Sequence, residues 1–440
     1  MDLKSKDVIK PYAFDTSKCI HCGYCLEICP TYTLSRKESE SPRGRLWLMR
    51  QVEQGRIDLC KELTRHIDTC LGCLACESVC PSSVPYRHIL EAFREHQQKK
   101  GEKSGFVKRV LLFIISFVFY NPWVLYGVAF IGFICFRLMG LMDKALSKVP
   151  ILSVDLKKIS FLKKIPSYTS RPRRYFLTRN LTGQGITKKT STHILLFQSC
   201  AIPAFFPQDQ ESLIGLLGLL DYQVWVARGE QCCGAIHAHN GLTKKASKLA
   251  KKNIRALSRG IFSSMPVVVM SSGCGNFLKG YPYLFKGDDR FSQKARDFSR
   301  RVKDFLEVLL ESDKLTKLLT HRVGLKVVVD EPCHLRYGQG IYHELYDVLR
   351  MVPGLEILPF IDASNCCGAA GTYMLFEPKM SNEILSGKIK IIEGSGAEAV
   401  VTPNPGCQLQ IQRGLNEAGL NIKVIHPIQI LLSSATGKLI

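Results

Sequence analysis

The sequence predicts a multidomain protein that combines α+β and α/β structure. Three observations predict it: two cysteine-rich runs near the N-terminus, a long uncharged apolar stretch after them, and a cysteine pattern that occurs twice in the second half. We expect an N-terminal helical domain over 1–100, an apolar helical hairpin over 101–150, a basic linker over 151–190, and two duplicated α/β domains over 191–320 and 321–440. A chain of 440 residues is long enough for each of these domains to bury its own core.

The two N-terminal cysteine runs share one spacing. They read Cys19-Ile-His-Cys22-Gly-Tyr-Cys25-Leu-Glu-Ile-Cys29-Pro30 and Cys70-Leu-Gly-Cys73-Leu-Ala-Cys76-Glu-Ser-Val-Cys80-Pro81. This is the bacterial ferredoxin pattern, in which three cysteines of a run hold one 4Fe–4S cluster and the fourth holds the other cluster. The spacing therefore predicts an α-helical, ferredoxin-like dicluster domain. Its first cluster is expected on Cys19, Cys22, Cys25 and Cys80, and its second on Cys70, Cys73, Cys76 and Cys29.

Zinc is the main alternative for closely spaced cysteine pairs. A zinc site needs four ligands, whereas here eight cysteines arrive in two matching runs that each end in Cys-Pro, so clusters are favoured. Cys60 and His66 fit neither run and are expected not to ligate. The chain has eighteen cysteines, and its N-terminal segment is charged and lacks the apolar core of an export signal. Metal ligation in a reducing cytosol is therefore favoured over disulfides.

The apolar stretch from Val110 to Phe136 contains no charged residue. Its length would suffice for one membrane-spanning helix, but Asn121-Pro122 should kink or end a helix near its middle. A single span would also place cysteine-rich segments on both sides of a membrane, and basic residues flank both ends of the stretch. We expect a helix–break–helix hairpin that dips into one leaflet. A helix pair buried within the protein and a true span are the alternatives.

The formal net charge of +22 indicates an acidic partner. Residues 137–190 hold thirteen Lys or Arg against two Asp, a net of +11 that directly follows the apolar stretch. A basic segment beside an apolar one favours an anionic cytoplasmic membrane surface over nucleic acid. A solvated basic linker without a partner is the other interpretation. A nucleic-acid-binding protein with structural clusters is disfavoured, because few aromatic residues and no binding motif accompany the basic run.

The second half of the chain contains an internal repeat of four cysteines. The first copy is Cys200, Cys232, Cys233 and Cys274, and the second copy is Cys333, Cys366, Cys367 and Cys407. Corresponding positions are 133 or 134 residues apart. In both copies the cysteines follow short β-branched runs, over 193–197, 222–226, 266–270, 326–330, 355–358 and 397–401, with helices expected over 208–220, 242–262, 341–352 and 376–394. If the strands are parallel, the cysteines of each copy should converge at one sheet edge.

With these features placed, the chain resembles the iron–sulfur subunits of glycolate oxidase (glycolate dehydrogenase) over nearly its whole length. The N-terminal part of the match comprises His21-Cys22-Gly23-Tyr24-Cys25, Cys29-Pro30-Thr31-Tyr32, Pro42-Arg43-Gly44-Arg45 and His66-Ile-Asp-Thr-Cys70. Its C-terminal part comprises Gln231-Cys-Cys-Gly-Ala235, Ser272-Gly-Cys-Gly275, Asn365-Cys-Cys-Gly-Ala-Ala-Gly-Thr-Tyr373 and Gly406-Cys407-Gln408, the signature of two CCG (cysteine-rich) domains. Two ferredoxin-type motifs followed by two CCG domains are far more specific than either feature alone.

The resemblance implies an electron-transfer subunit of an enzyme complex rather than a chain with its own catalytic residues. It would take electrons from a FAD-containing 2-hydroxy acid dehydrogenase partner, with glycolate as the expected substrate, and pass them towards a quinone or membrane acceptor. The FAD and the substrate would sit on the partner only. The expected location is cytoplasmic, with peripheral attachment to the inner face of the cell membrane and no nucleic acid partner. A related subunit for lactate, glycerol 3-phosphate or a heterodisulfide-type substrate is the alternative.

One departure concerns the CCG domains. In the wider family the last cysteine often belongs to a C-x2-C pair, but Ser271 and Asn404 stand three positions before Cys274 and Cys407. Each domain keeps four cysteines, which could hold a further iron–sulfur cluster, a zinc ion or no metal. The neighbouring His237, His239 and His334 are expected to be hydrogen-bonding neighbours rather than ligands.

Overall fold

The computed structural model describes residues 16–100, 106–146, 172–175, 177–182 and 192–438. Most of the predicted basic linker lies outside these ranges. The N-terminal domain is helical, as its spacing predicts. Its helices are α1 (Pro30–Ser35), α2 (Pro42–Glu53), α3 (Lys61–Asp68), α4 (Ala75–Ser78) and α5 (Tyr86–Lys100). Apolar side chains of α2, α3 and α5 form its small core, including Met49, Ile67 and Phe93.

The apolar stretch forms two helices, α6 (Phe106–Tyr120) and α7 (Pro122–Leu146), that meet at Asn121. The break falls where Asn121-Pro122 predicts it, because proline lacks the amide hydrogen that would continue α6. In the described part of the chain, no single helix is long and apolar enough to cross a membrane. The segments Lys108–Tyr120 and Pro122–Ile134 meet that test only together, with a bend of 102° between them. The two helices therefore meet at close to a right angle and do not fold back on each other.

The first α/β domain contains a five-stranded sheet in the order β1-β3-β2-β4-β5, in which only β1 is antiparallel to its neighbour. Its strands are β1 (Arg179–Asn180), β2 (His193–Phe197), β3 (Gln223–Val226), β4 (Val267–Val269) and β5 (Val302–Asp304). Its helices are α8 (Ile202–Phe205), α9 (Pro207–Leu219), α10 (Ala235–His239), α11 (Thr243–Ala256), α12 (Ser272–Lys279), α13 (Tyr281–Leu284), α14 (Asp289–Arg300), α15 (Phe305–Leu310) and α16 (Leu315–Leu318).

The second α/β domain contains a four-stranded parallel sheet in the order β7-β6-β8-β9. Its strands are β6 (Leu325–Val329), β7 (Leu355–Ile357), β8 (Ala399–Val401) and β9 (Lys423–Ile425). Its helices are α17 (Cys333–Gln339), α18 (His343–Arg350), α19 (Tyr373–Phe376), α20 (Pro378–Gly394), α21 (Pro405–Glu417) and α22 (Pro427–Thr436). The order matches β3-β2-β4-β5 of the first domain, so the two sheets are duplicates.

The six strands predicted from the repeat are present and parallel, whereas β1, β5 and β9 were not predicted. The helix expected over 242–262 ends early: α11 stops at Ala256, and a short 3-10 turn over Gly260–Ser263 follows, with Gly260 at φ +53°. One apolar core joins both domains, because Leu196 and Val329 from the two sheets belong to the same buried cluster. The two α/β domains are therefore one packed unit.

Candidate metal centres

The first candidate centre is a cavity near the N-terminus. Three of its cysteines, Cys19, Cys22 and Cys25, lie on the loop before α1, and the fourth is Cys80, just beyond α4. The loop curls around the cavity because His21 and Gly23 adopt left-handed backbone conformations, with φ of +57° and +91°. The same cavity is bordered by Cys76 of the second run. The second run therefore contributes both Cys76 and Cys80 to the lining of this cavity.

The second cavity is lined by Cys29, Cys70, Cys73 and Cys76. Cys29 closes the first run, yet its side chain is buried beside the second run. The Tyr86 hydroxyl donates to Cys70 Sγ at 3.5 Å. The two cavities are thus lined by thiol groups from both runs, five in the first and four in the second, and a 4Fe–4S cluster requires four thiolate ligands. Within the described ranges, no three His, Cys, Asp or Glu side chains converge closely enough to hold a single metal ion.

The Arg43-Gly44-Arg45 element supports both cavities. Arg43 Nη1 donates to the carbonyl oxygen of His21 at 3.2 Å, on the loop of the first cavity. The fully buried Arg45 lines the second cavity, and its Nη2 donates to Glu40 Oε2 at 2.8 Å. Burial alone would lower the pKa of Arg45, but attraction from Cys70 and other neighbouring groups raises it above its ordinary value. Arg45 therefore keeps a positive charge beside the cysteines of the second cavity.

Gly44 is required between these arginines for a steric reason. A β-carbon at this position would lie 1.9 Å from the carbonyl oxygen of Glu38. The Gly44 amide instead donates to the Ser41 hydroxyl at 2.9 Å, which caps the start of α2. The resemblance identified this element from the sequence, but only the packing explains it.

The first α/β domain brings its four cysteines together at the carboxyl ends of its strands. Cys200, Cys232, Cys233 and Cys274 are all buried. The Sγ atoms of Cys200 and Cys232 lie 3.7 Å apart. Hydrogen bonding to Cys200 and Cys233 holds the pKa of Cys232 well below its usual range. The neighbouring Cys232 and Cys274 raise the pKa of Cys233, so Cys274 belongs to the same set of thiols. The predicted convergence into one crevice is therefore present.

The second α/β domain repeats this crevice with Cys333, Cys366, Cys367 and Cys407. The Sγ atoms of Cys367 and Cys407 are 3.3 Å apart, and the neighbouring Cys333 and Cys367 raise the pKa of Cys366. Here Cys367 is the thiol whose pKa falls well below its usual range, because it is hydrogen-bonded to Cys366 and Cys407. Each crevice thus holds one thiol that ionises readily, a property that suits metal ligation.

Each crevice also contains a buried ion pair that the sequence motifs did not reveal. In the first domain, Arg174 Nη2 lies 3.1 Å from Glu230 Oε1, and Arg174 also donates to the carbonyl oxygen of Ser199. In the second, Lys388 Nζ lies 2.7 Å from Asp330 Oδ1, and both side chains are buried. Burial alone would lower the pKa of Lys388, but Asp330 and neighbouring groups raise it. Buried cations therefore lie near both sets of thiols.

The three nearby histidines have hydrogen-bond partners. His237 Nε2 lies 3.1 Å from the carbonyl oxygen of Ser116, and His239 Nδ1 lies 2.8 Å from Glu91 Oε1. His334 Nε2 lies 3.1 Å from the carbonyl oxygen of Gly72. Each histidine therefore links one of the α/β domains to the N-terminal half of the chain by a hydrogen bond.

The second cavity and the crevice of the second α/β domain are adjacent. Cys73 and Cys333 pack in one apolar cluster with the buried Leu71 and Cys366. The Tyr373 hydroxyl donates to the carbonyl oxygen of Thr69 at 2.9 Å, immediately before the second run. No sequence motif could predict this contact, because the residues that form it are about 260 to 300 positions apart in the chain.

Two protein families match separate parts of the chain. Residues 18–84 match the family of 4Fe-4S dicluster domains. Residues 194–279 and 327–412 each match the family of cysteine-rich CCG domains.

Two curated relatives cover most of the chain. The chain is 34% identical to the probable glycolate oxidase iron-sulfur subunit of Bacillus subtilis, over 96% of this chain and 94% of that protein. It is 30% identical to the glycolate oxidase iron-sulfur subunit of Escherichia coli, over 89% of each chain. Lactate utilization protein A of a Geobacillus species is 27% identical over 99% of its own length but only 54% of this chain.

Proposed function

The chain belongs to the family of glycolate oxidase iron–sulfur subunits, and on this premise we propose that it serves a glycolate dehydrogenase complex. As a member of this family it is an iron–sulfur subunit of an oxidoreductase. The proposed reaction is the oxidation of glycolate to glyoxylate on a partner that carries FAD. Electrons would leave that partner through this chain towards the quinone pool.

The contact between the second cavity and the second CCG domain carries the proposal. When bound, 4Fe–4S clusters supply one-electron transfer. The described residues place the two N-terminal cavities side by side, with Cys76 bordering both. Cys73 then adjoins Cys333 of the next crevice. This succession of thiol-lined sites supports a relay that accepts electrons at one end of the chain and delivers them at another.

Side chains around the second cavity would tune the relay. Arg45 is buried and keeps its charge there, and a nearby positive charge stabilises the reduced form of a cluster. Apolar residues, among them Leu71 and Leu74, line the same cavity and limit the access of water. The arrangement therefore favours electron transfer within the protein over loss of electrons to solvent.

We propose that the CCG crevices hold further metal. Four convergent thiols in each crevice, one of them with a lowered pKa, suit an additional iron–sulfur cluster. A zinc ion is the other candidate, but it would require the thiols to move closer together, because no three metal-binding side chains among the described residues converge on one point. Two adjacent cysteines, such as Cys232 and Cys233, suit a polynuclear cluster better than a single tetrahedral ion. Iron and acid-labile sulfide analysis distinguishes the cases. About eight iron atoms per chain would confine clusters to the N-terminal domain, and clearly more would populate the crevices.

We also propose peripheral attachment to the inner face of the cell membrane through α6 and α7. Leu125 and Ala129 on α7 are buried against the first CCG domain. Phe113 and Trp123, in contrast, are more than half exposed. One side of this apolar unit is thus fixed to the protein, and the other side is available to lipid. A helix lying in one leaflet has this division of faces.

A related function with lactate remains the second candidate, because a lactate utilization protein matches about half of the chain. The test is to purify the chain with its native partners and assay the complex on glycolate, lactate and glycerol 3-phosphate with a quinone acceptor. We expect glycolate to give the highest turnover. Activity on lactate alone would select the second candidate, and activity on glycerol 3-phosphate alone would contradict both.

Two variants test the proposed relay in the same complex. Cys22→Ser and Cys73→Ser should each abolish quinone reduction by glycolate while the partner's flavin is still reduced. The exposed Cys60 lies outside both cavities, so Cys60→Ser is the matched control and should retain turnover. Quinone-linked turnover in either of the first two variants would overturn the relay.

A further inference from the structure

The solvent-facing side of α11 carries a row of basic residues that continues just past its end. We name these residues the basic row: Lys244, Lys248, Lys252, Arg255 and Arg259. All five are exposed and follow one another at intervals of three or four residues, the spacing of one helix face. α11 itself contains no Asp or Glu. Among the described residues, none of the five forms an ion pair, whereas their neighbour Lys251 pairs with Asp288.

The basic row adjoins α6 at Lys252, although more than a hundred residues separate the two in sequence. Lys252 Nζ lies 5.0 Å from the centroid of the Tyr120 ring. On the adjoining face of α11, Lys245 Nζ donates to Ser116 Oγ at 2.7 Å and lies 5.9 Å from the centroid of the Phe113 ring. α11 therefore borders α6 from Phe113 to Tyr120, over about two helical turns.

Several large apolar side chains of α6 and α7 are at least half exposed. Phe113 is 67% exposed and Phe117 50% on α6, and Trp123 is 68% exposed and Ile131 62% on α7. Large exposed apolar patches mark interaction sites. Here the exposed apolar side chains lie on α6 and α7, and the opposite side of these helices packs against the first CCG domain. This packing fixes the position of the apolar side chains relative to α11.

We propose that the basic row binds the headgroups of an anionic phospholipid leaflet while Phe113, Phe117, Trp123 and Ile131 enter the acyl boundary beneath them. An interfacial helix combines these two elements, an apolar face and flanking basic residues. Here the structure supplies them from separate segments of the chain. The proposal rests on the membrane attachment proposed above and adds the lipid class and the residues that select it.

Charge and apolarity together distinguish lipid from nucleic acid. A phosphate backbone would satisfy the basic row but would leave Phe113, Phe117 and Trp123 in water. An anionic bilayer accommodates both, and each basic residue near its surface strengthens partitioning by about fivefold. The first CCG domain is then the one that faces the membrane. Its crevice is close to the helices, because the Tyr126 hydroxyl on α7 donates to the carbonyl oxygen of Cys200 at 2.9 Å.

The test is flotation of the full-length, cluster-loaded chain with vesicles of phosphatidylcholine, with or without phosphatidylglycerol. The test variant combines Lys248→Gln, Lys252→Gln and Arg255→Gln. We expect it to partition into the anionic vesicles about 100-fold less than the parent, with unchanged weak binding to neutral vesicles.

The matched control removes three exposed basic side chains from the second CCG domain by Lys390→Gln, Lys423→Gln and Lys438→Gln. It should bind anionic vesicles like the parent. Equal losses in the test and control variants would overturn the proposal, and so would equal binding of the parent to neutral and anionic vesicles. If the test variant lost DNA binding but kept vesicle binding, the basic row would be a nucleic-acid site. That outcome would also overturn the proposal.

A second measurement separates this proposal from the proposed function. In the complex, the test variant should still reduce a soluble dye with glycolate, because the basic row lies outside the thiol-lined sites. A parent complex that reduces the dye but does not bind anionic vesicles contradicts the lipid proposal alone. If the chain binds anionic vesicles but its complex does not oxidise glycolate, only the proposed glycolate dehydrogenase function is contradicted.

Discussion

The Ser271 hydroxyl donates to Asn404 Oδ1 at 3.4 Å across the interface between the two CCG domains. These are the two positions at which the fuller family pattern has a cysteine. Asn404 Oδ1 also accepts from the Gly273 amide, and its Nδ2 donates to Cys407 Sγ at 3.4 Å. In this chain the two positions join the domains instead of supplying a fifth thiol to each crevice.

Removing this contact should loosen the domain interface. We expect Asn404→Ala to lower the free energy of unfolding by about 1–2 kcal/mol and Ser271→Ala by about 0.5 kcal/mol, because Asn404 has more partners. In the Asn404→Ala background, Ser271→Ala should have almost no effect. The parent, the two single variants and the double variant form a double-mutant cycle, and urea unfolding followed by circular dichroism measures the stability of all four proteins. Strictly additive losses would show that the two residues do not interact.

The crossed arrangement of the two runs makes a spectroscopic prediction. Cys29→Ser should weaken the same electron paramagnetic resonance signal as Cys70→Ser, since Cys29 and Cys70 line the same cavity. Cys80→Ser should instead match Cys19→Ser. Each change should release up to about four iron atoms per chain, the content of one cluster. If Cys29→Ser affected the signal that Cys19→Ser affects, each run would hold its own cluster.

The close approach of Gly44 to Glu38 predicts that Gly44→Ala destabilises the N-terminal domain. The added methyl group would overlap the Glu38 carbonyl oxygen, so α2 must shift, at a cost of about 1–3 kcal/mol. The expected result is loss of iron during purification and a lower melting temperature. A methyl group added at Gly387, on α20, would meet no neighbouring side chain within 4 Å, so Gly387→Ala is the control and should be neutral or stabilising by up to about 1 kcal/mol. Equal melting temperatures for the two variants would contradict this account.

The buried pair of Lys388 and Asp330 predicts a large effect from one substitution. Lys388→Met leaves the Asp330 carboxylate buried without its partner, which should lower the free energy of unfolding by about 3–5 kcal/mol. Adding Asp330→Asn should recover part of this loss, because the Asp362 carboxylate, 3.5 Å from Lys388 Nζ in the parent, is then the carboxylate that still lacks its cation. Lys390 is exposed two residues further along α20, so Lys390→Met should change stability little. Similar losses in urea unfolding for both lysine variants would exclude this role for the ion pair.

Three features of this protein could be predicted from its sequence: the two ferredoxin-type cysteine runs, the duplicated cysteine pattern and the helix break at Asn121-Pro122. These features are local or periodic. Spacing within a ferredoxin-type run is set by the geometry of wrapping one cluster, and alternation of β-branched runs with helices is set by backbone preference. The six strands of the repeat and the break between α6 and α7 follow from this information.

Contacts between segments that are distant in the chain could be identified only after the domains had been placed in three dimensions. Cys73 lies beside Cys333, Ser271 reaches Asn404, and the basic row of α11 borders α6. Buried ion pairs such as Lys388–Asp330 also escaped prediction, since their partners are distant in the chain. Such contacts depend on how whole domains pack, and the burial of apolar surface that drives packing is not directional. The thiol-lined sites could therefore be recognised from the sequence, but their order within the molecule could not.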